Sequence, residues 1–389
     1  MTLKDLEFRL RQIYLIPDFG DICVALAVVA ASLVNKGEVV WVLLIAPPSS
    51  FKTELINLFV TMQSAFSVGK LTPKTFLSGA TDPRASLLLR MDADGQNLLL
   101  IPELGTVVST GQQARAEVFA QLRQVYDGHY PATWGNGQQI DWKGRRYLLA
   151  GWTEEAFSYQ PELAALGQRW MSYSLSLPDR DKVGRRALSN RDIDARRAEF
   201  QKATVDFLQN DIDLQMPIKM SSLMEDKLVA LANLATRVRT HVPRDRRSRE
   251  VEMIPHPEGP SRLIRGLGSI AESLARIRGM NEVQASDLPT LQKLALDSVP
   301  PERIHLLEHV YRHGPSNLTG LCCTTRLGQT VTRRIAEDFV ALDVLEASKN
   351  LGAATLWELR PEIRQLLDIL LIGGALPLRG TALASGGVP

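Results

Sequence analysis

Cysteine is almost absent from this chain: Cys23, Cys322 and Cys323 are the only three in 389 residues. They have no metal-ligand spacing and make no disulfide framework, which excludes a zinc ribbon or a stapled secreted fold and suits a reducing cytoplasm. A strong charge of one sign is also lacking. The formal net charge is +2, so nothing global demands a polyanionic partner, and any such case must rest on local clusters. Long hydrophobic runs are missing too. Ile22–Val34 is too short to span a bilayer and carries no cleavage-site pattern, so it reads as a buried helix with no membrane partner. No internal repeat is visible. What remains is the balance of an ordinary globular protein, 45% hydrophobic and 23% charged, at a length that predicts two or three domains.

The chain opens with helical patterning from Leu3 to Asn35, broken near Pro17 and Gly20. Val39–Ile45 is a short β-branched apolar run that reads as a buried parallel strand. A Pro/Ser turn and a helix from Thr53 to Gln63 follow. Further strands are predicted at Leu98–Ile101, Arg146–Gly151 and Met171–Leu177, with a helix over Arg115–Tyr126 and a hairpin from Tyr130 to Lys143. Strands alternating with helices predict an α/β fold with a five-stranded parallel sheet covered on both faces. Val39–Ile45 and Leu98–Ile101 are expected to be adjacent in it. Residues 1–36 form an N-terminal helical segment, 37–180 the α/β core and 181–299 an all-helical lid. Residues 300–372 read as an α+β winged helix-turn-helix of three helices and a small hairpin around Asn350-Gly352. The Gly/Ala/Pro-rich tail, 373–389, is expected to be disordered.

The strand ending at Ile45 runs into Ala46-Pro47-Pro48-Ser49-Ser50-Phe51-Lys52-Thr53. A phosphate-binding loop needs a strand, a tight turn of backbone N–H donors, then Lys and Ser/Thr opening a helix. The Lys neutralises β/γ-phosphate charge and the hydroxyl ligates Mg²⁺. Pro48, Ser49, Ser50, Phe51, Lys52 and Thr53 are therefore the candidate nucleotide-binding residues. Ala46 and Phe51 stand where glycines are usual. The stretch reads equally as a strand–turn–helix with an incidental Lys-Thr pair. Leu98–Ile101 leads to Pro102-Glu103, a buried strand ending in an acid able to hold Mg²⁺ or polarise an attacking water. Pro102 occupies the place of a usual Asp, and a buried strand ended by proline explains the pattern as well.

The order of these motifs resembles the AAA+ ATPases that include MCM replicative helicases and magnesium chelatases, and is closest to the MCM-like ATPases of phages and mobile elements. The resemblance covers roughly residues 39–296. Leu71-Thr72-Pro73 and Ala93-Asp94-Gly95 precede the acid strand as similar pieces do in MCM proteins. The Tyr130–Lys143 hairpin resembles the pore hairpin of that family. The resemblance implies Thr153 as a sensor residue, Arg169 as an arginine finger acting on a neighbouring subunit, and Arg262 as a second sensor opening a lid helix. It also implies ATP and Mg²⁺ as cofactors, with Thr53 and Glu103 on the metal, and a homo-oligomeric ring, commonly a hexamer. The function implied is ATP hydrolysis coupled to work on DNA, as a replication helicase or remodeller. A nucleotide-gated DNA-binding regulator or a pseudo-ATPase with little turnover is the alternative.

Local charge supplies the DNA candidates. His129 and Lys143 flank the hairpin, and Arg326, Gln329, Arg333 and Arg334 lie in or beside the expected recognition helix. That helix would present Val331, Ile335, Phe339 and Leu342 to its core. Winged helices also mediate protein contacts, and a hairpin with stray charges needs no ligand. Arg237, Arg239, Arg244, Arg246, Arg247 and Arg249 form the densest basic run, readable as a phosphate-backbone contact or as a solvated loop. His305, His309 and His313 share one helix face but spread over about 12 Å, too far for a single ion. They read as a polar face.

Overall fold

A computed structural model of the chain describes residues 1–108, 111–159, 169–189, 193–245, 247–349 and 354–371. The chain divides into two compact units, Met1–Met224 with Arg262–Leu291, and Glu225–Ser261 with Gln292–Pro389. The helical stretch expected over 181–299 is therefore shared between the two. The chain leaves the first unit within the helix Ser222–Arg239 and returns to it with the helix Ser261–Ile277.

The first unit is built on strands β1 (Trp41–Ile45), β2 (Ala65–Ser67), β3 (Leu98–Ile101), β4 (His129–Thr133), β5 (Gln139–Lys143), β6 (Tyr147–Trp152) and β7 (Met171–Ser174). Five of them form one parallel sheet in the order β2-β3-β6-β1-β7. Every residue of β1, β3 and β6 is buried, which is why these strands read as continuous apolar runs instead of alternating ones. β2 escapes sequence reading because it has only three residues, Ala65, Phe66 and Ser67, and only Ala65 is buried. It is fixed by its partner, with Val68 N–H donating to Leu100 O at 2.8 Å.

The expected adjacency of β1 and β3 is overturned, since β6 lies between them. Apolar runs specify burial, and a crossover can carry the chain past one or more positions in the sheet. Gly151 makes the β3–β6 junction possible. A Cβ there would stand 2.6 Å from the carbonyl oxygen of Pro102.

β4 and β5 pair antiparallel as a separate hairpin, with His129 opposite Lys143. The helix Gly20–Val34 is buried along most of its length and packs in the core. Among the described residues no helix is long and apolar enough to cross a membrane.

In the second unit, the helix Pro301–His313 leads to β8 (Ser316–Asn317), the helices Leu318–Thr325 and Gln329–Ala341, then β9 (Leu345–Ser348), β10 (Leu356–Leu359) and the helix Pro361–Leu371. The three strands form an antiparallel sheet in the order β8-β10-β9. Ile335, Phe339 and Leu342 are buried as expected, but Val331 is 44% exposed. Thr332 and Ala336 take the inward positions in its place, one residue further round the helix. Residues 350–353 and the tail 373–389 lie outside the described residues, as do Arg246 and residues 166–168, just before Arg169.

Candidate functional site

Parallel strands send all their carboxyl ends to one edge. In this sheet β1, β6 and β3 are consecutive neighbours, so the loop after Ile45, Thr153-Glu154 after β6 and Pro102-Glu103 after β3 emerge side by side. β1 is also where the order reverses. The connection after it runs to the β2 edge, and the chain leaves β6 to reach β7 on the far side of β1. Ligands of open α/β sheets bind in the crevice outside the carboxyl ends at such a point.

The loop is tightly wound. Ser49 and Phe51 are left-handed, at φ 60° and 68°, and Ser50 Oγ donates to Pro47 O. The following helix, Lys52–Asn57, is shorter than the sequence implies. Lys52 is 4% exposed, and its ammonium donates to Ala46 O at 2.7 Å and Pro47 O at 2.9 Å. Burial lowers its pKa, opposed by the charge of the nearby carboxylates of Glu103 and Glu154. Thr53 is exposed, as are Pro48 and Ser49.

Position 51 keeps the backbone that glycine would adopt, although a phenylalanine occupies it. A left-handed bulky residue costs on the order of 1–3 kcal/mol. Contact of its ring with Tyr14, centroids 4.6 Å apart, offsets about 0.5–1.5 kcal/mol of that. Tyr14 is held in turn. Its hydroxyl donates to Glu54 at 3.3 Å, and Glu54 accepts from Arg197 Nε at 2.9 Å. Burial, reinforced by the Glu54 carboxylate, pushes the Tyr14 phenol up to about 12. This brace of Tyr14, Glu54 and Arg197 was invisible in the sequence, because its members come from three distant segments.

Glu103 is half-buried and accepts from Gly105 N–H at 3.1 Å. Beside it, Trp152 is fully buried, yet its indole N–H has no partner among the described residues. A Cβ on Gly105 would lie 2.7 Å from Glu103 Oε1 and 3.5 Å from Trp152 Nε1, so both groups converge on one small space. Thr153 is half-buried, directly after β6. Glu154 is the acid that sequence reading passed over, and its only signal was position, one residue beyond the candidate sensor.

Among the described residues no group of three or more His, Cys, Asp or Glu could hold a metal ion. Mg²⁺ does not require one, since it is usually held by one or two carboxylates, substrate phosphates and water. Thr53 and Glu103 offer hard oxygens of the type that pattern uses.

Arg169 and Arg262 lie elsewhere. Arg169 precedes β7 and so stands at the amino edge of the sheet. It forms a two-pronged pair with Asp127, Nε to Oδ1 at 3.0 Å and Nη2 to Oδ2 at 2.6 Å. Arg262 stacks over Tyr126 at 5.9 Å, and Arg169 lies 5.7 Å from the same ring. Tyr126 in turn meets the edge of Trp41, the first residue of β1, at 5.2 Å. The two arginines are thus separated from Lys52 by the length of β1, about 16 Å at about 3.3 Å per residue. The structure does not bring Arg262 to the loop of its own chain.

His129 and Lys143 share one carboxylate, Asp141, at 2.6 and 3.1 Å, and together they hold that carboxyl below its ordinary pKa. Their charge is largely answered locally. The hairpin tip is docked, with Asn136 donating to Gly79 O at 2.9 Å and Gln138 to Ala80 O at 3.0 Å. In the second unit Arg326, Gln329 and Arg333 are exposed and Arg334 is half-buried. Arg326 ends the helix Leu318–Thr325 in a left-handed conformation. His309 is bonded to Thr324 and Ser316 at 2.6 and 3.1 Å.

No family model matches the chain, and no curated protein matches it.

Proposed function

We propose that this chain is an ATP-dependent, DNA-acting P-loop ATPase of the AAA+ type, assembling into a homo-oligomeric ring and carrying a winged-helix DNA-binding module. One observation carries the reading: a wound loop bearing a buried lysine, with the carboxylates of Glu103 and Glu154 nearby, at the carboxyl edge of one parallel sheet. A desolvated ammonium opposite acids, beside an exposed Thr53, is the set of groups that phosphate and Mg²⁺ together require.

In this mechanism Lys52 leaves the carbonyls of Ala46 and Pro47 for the β/γ-phosphates of ATP. It exchanges neutral acceptors for charged ones, which hold it more strongly. Thr53 and Glu103 would hold Mg²⁺, which neutralises phosphate charge when bound. Glu103 also orients the attacking water, and Thr153 supplies one hydrogen bond beside it. Arg169 cannot serve its own loop, so its guanidinium must complete the site of a neighbouring copy after release from Asp127. The helix Gln329–Ala341 presents Gln329, Arg333 and Arg334 to DNA, with Arg326 beside it.

A second reading, an ATP-gated DNA-binding regulator with little turnover, is favoured by Lys52 being bonded to its own loop and by the proline that replaces a second acid on β3. Steady-state ATP hydrolysis with and without duplex DNA separates the two. The motor reading expects hydrolysis that DNA stimulates. Tight ATP binding without DNA-stimulated release of phosphate would select the regulator.

A further inference from the structure

The arginine-rich segment of the second unit folds back on itself beside the helix Gln329–Ala341. From Pro243 to Glu252 the chain doubles back. Arg244 bridges antiparallel to Val251, Asp245 N–H donates to Glu250 O, and Glu252 N–H donates to Pro243 O, both at 3.0 Å. The Asp245 carboxylate accepts from the backbone N–H groups of Arg247 and Ser248 at 2.8 and 2.6 Å. The turn is pinned to the helix Gln329–Ala341 by Arg244. This residue donates to Asp338 Oδ1 at 3.0 and 2.6 Å, to Arg334 O at 3.1 Å and to Glu337 at 3.2 Å. Asp338 is itself fixed by the buried Arg303 at 2.9 Å. Arg244 and Asp338 therefore serve the structure.

Between the pinned turn and the helix runs a groove of about 500 Å³, lined by Arg249 from the turn and by Arg333 and Arg334 from the helix, with Gln329 and Thr330 at its helical wall. The guanidinium groups of Arg249, Arg333 and Arg334 make no ion pair among the described residues, and neither does that of Arg247 nearby. Two carboxylates also line the groove. Glu337 is paired with Arg244, which leaves Glu250 against three cations. Arg249 is also left-handed, at φ 63°, a conformation suited to Gly or Asn. A long cation kept where the backbone disfavours it points to a use for the charge.

We propose that this groove binds the phosphodiester backbone of duplex DNA, with Arg249 on one wall and Arg333 and Arg334 on the other. Guanidinium forks match phosphate oxygens, and a helix seated in the major groove has a phosphate backbone running along its flank. No aromatic side chain lines the groove. Single-strand sites rely on aromatic stacking platforms, so a duplex is the better fit. The proposal rests on the DNA-binding reading of the helix Gln329–Ala341 and adds to it a second, sequence-indifferent contact from a distant segment.

The test is a salt titration of full-length protein against a short labelled duplex, for the parent chain, Arg249→Asn and Arg333→Gln. Asparagine suits the left-handed backbone, so Arg249→Asn should keep or raise Tm. Any loss of binding in it then cannot be assigned to unfolding. The expected result is about threefold or greater weakening with every duplex sequence, and a log–log salt slope shallower by about 0.9 for the lost phosphate contact. If Arg333→Gln weakens binding while Arg249→Asn leaves affinity and slope unchanged, the groove proposal is overturned and the helix reading stands. If Arg249→Asn lowers the slope and Arg333→Gln does nothing, the helix reading fails and the turn is the contact. A parent chain that prefers single-stranded DNA or RNA over the duplex overturns the proposal directly.

Discussion

Glu103→Gln should lower the rate of ATP hydrolysis by about 10²–10⁴-fold, the usual contribution of a positioned general base, and leave ATP affinity within a few-fold of the parent chain. The amide keeps the size of the side chain and can still accept from Gly105 N–H, as Glu103 does at 3.1 Å. It loses the charge that orients and polarises water. Because Pro102 supplies no carboxylate, β3 has no second acid to cover the loss. Single-turnover and steady-state phosphate release, beside an ATP titration, make the measurement. Equal rates in the two proteins would move the base elsewhere, and Glu154, the other carboxylate near Lys52, would be the next residue to replace.

Two inactive variants should rescue each other when mixed. Arg169→Ala chains keep an intact loop and lack the finger, whereas Lys52→Ala chains lack the loop lysine and keep the finger. In a mixed ring some interfaces join an intact loop to an intact Arg169. Fingers of this kind are worth about 10³–10⁵ in rate, so even a minority of restored interfaces lifts activity far above either variant alone.

The geometry demands this arrangement if Arg169 has any role in turnover, because it stands at the opposite edge of the sheet from the loop of its own chain. Its pair with Asp127 must open for that role. Asp127 is 45% exposed, so the carboxylate left behind is solvated and Arg169→Ala should fold. A mixture that stays inactive, while each variant still assembles with parent chains, would confine Arg169 to its Asp127 pair and turn the proposal toward the nucleotide-gated regulator.

What the sequence made legible was local. Lys52, Thr53 and Glu103 could be picked out because each follows a buried strand within a few residues, and runs such as Trp41–Ile45 and Leu98–Ile101 declare their burial by composition. Phe51 was legible as a departure from glycine, but not as a residue that retains the left-handed turn. That depends on Tyr14, which lies 37 positions earlier in the sequence.

What stayed hidden was decided by neighbours. β2 has too few apolar residues to be seen without β3. The position of β6 between β1 and β3 follows from crossovers that no single run encodes. Asp127, which holds Arg169 in an ion pair from 42 residues away, could not be matched to it by spacing. The Arg237–Arg249 run looked like a solvated loop or a patch, and only the fold separates Arg244, which is structural, from Arg249, which faces a groove.

The most direct measurement is an equilibrium titration of Mg·ATP against the parent chain and Lys52→Ala. Lys52 is a buried cation at the candidate site, and its removal takes a donor from the Ala46 and Pro47 carbonyls and leaves the phosphates without its counter-charge. Saturable binding to the parent chain, weakened at least about tenfold in the variant, is the expected result. Equal affinity in the two proteins, or no saturable binding to the parent chain, would contradict a nucleotide site at this loop.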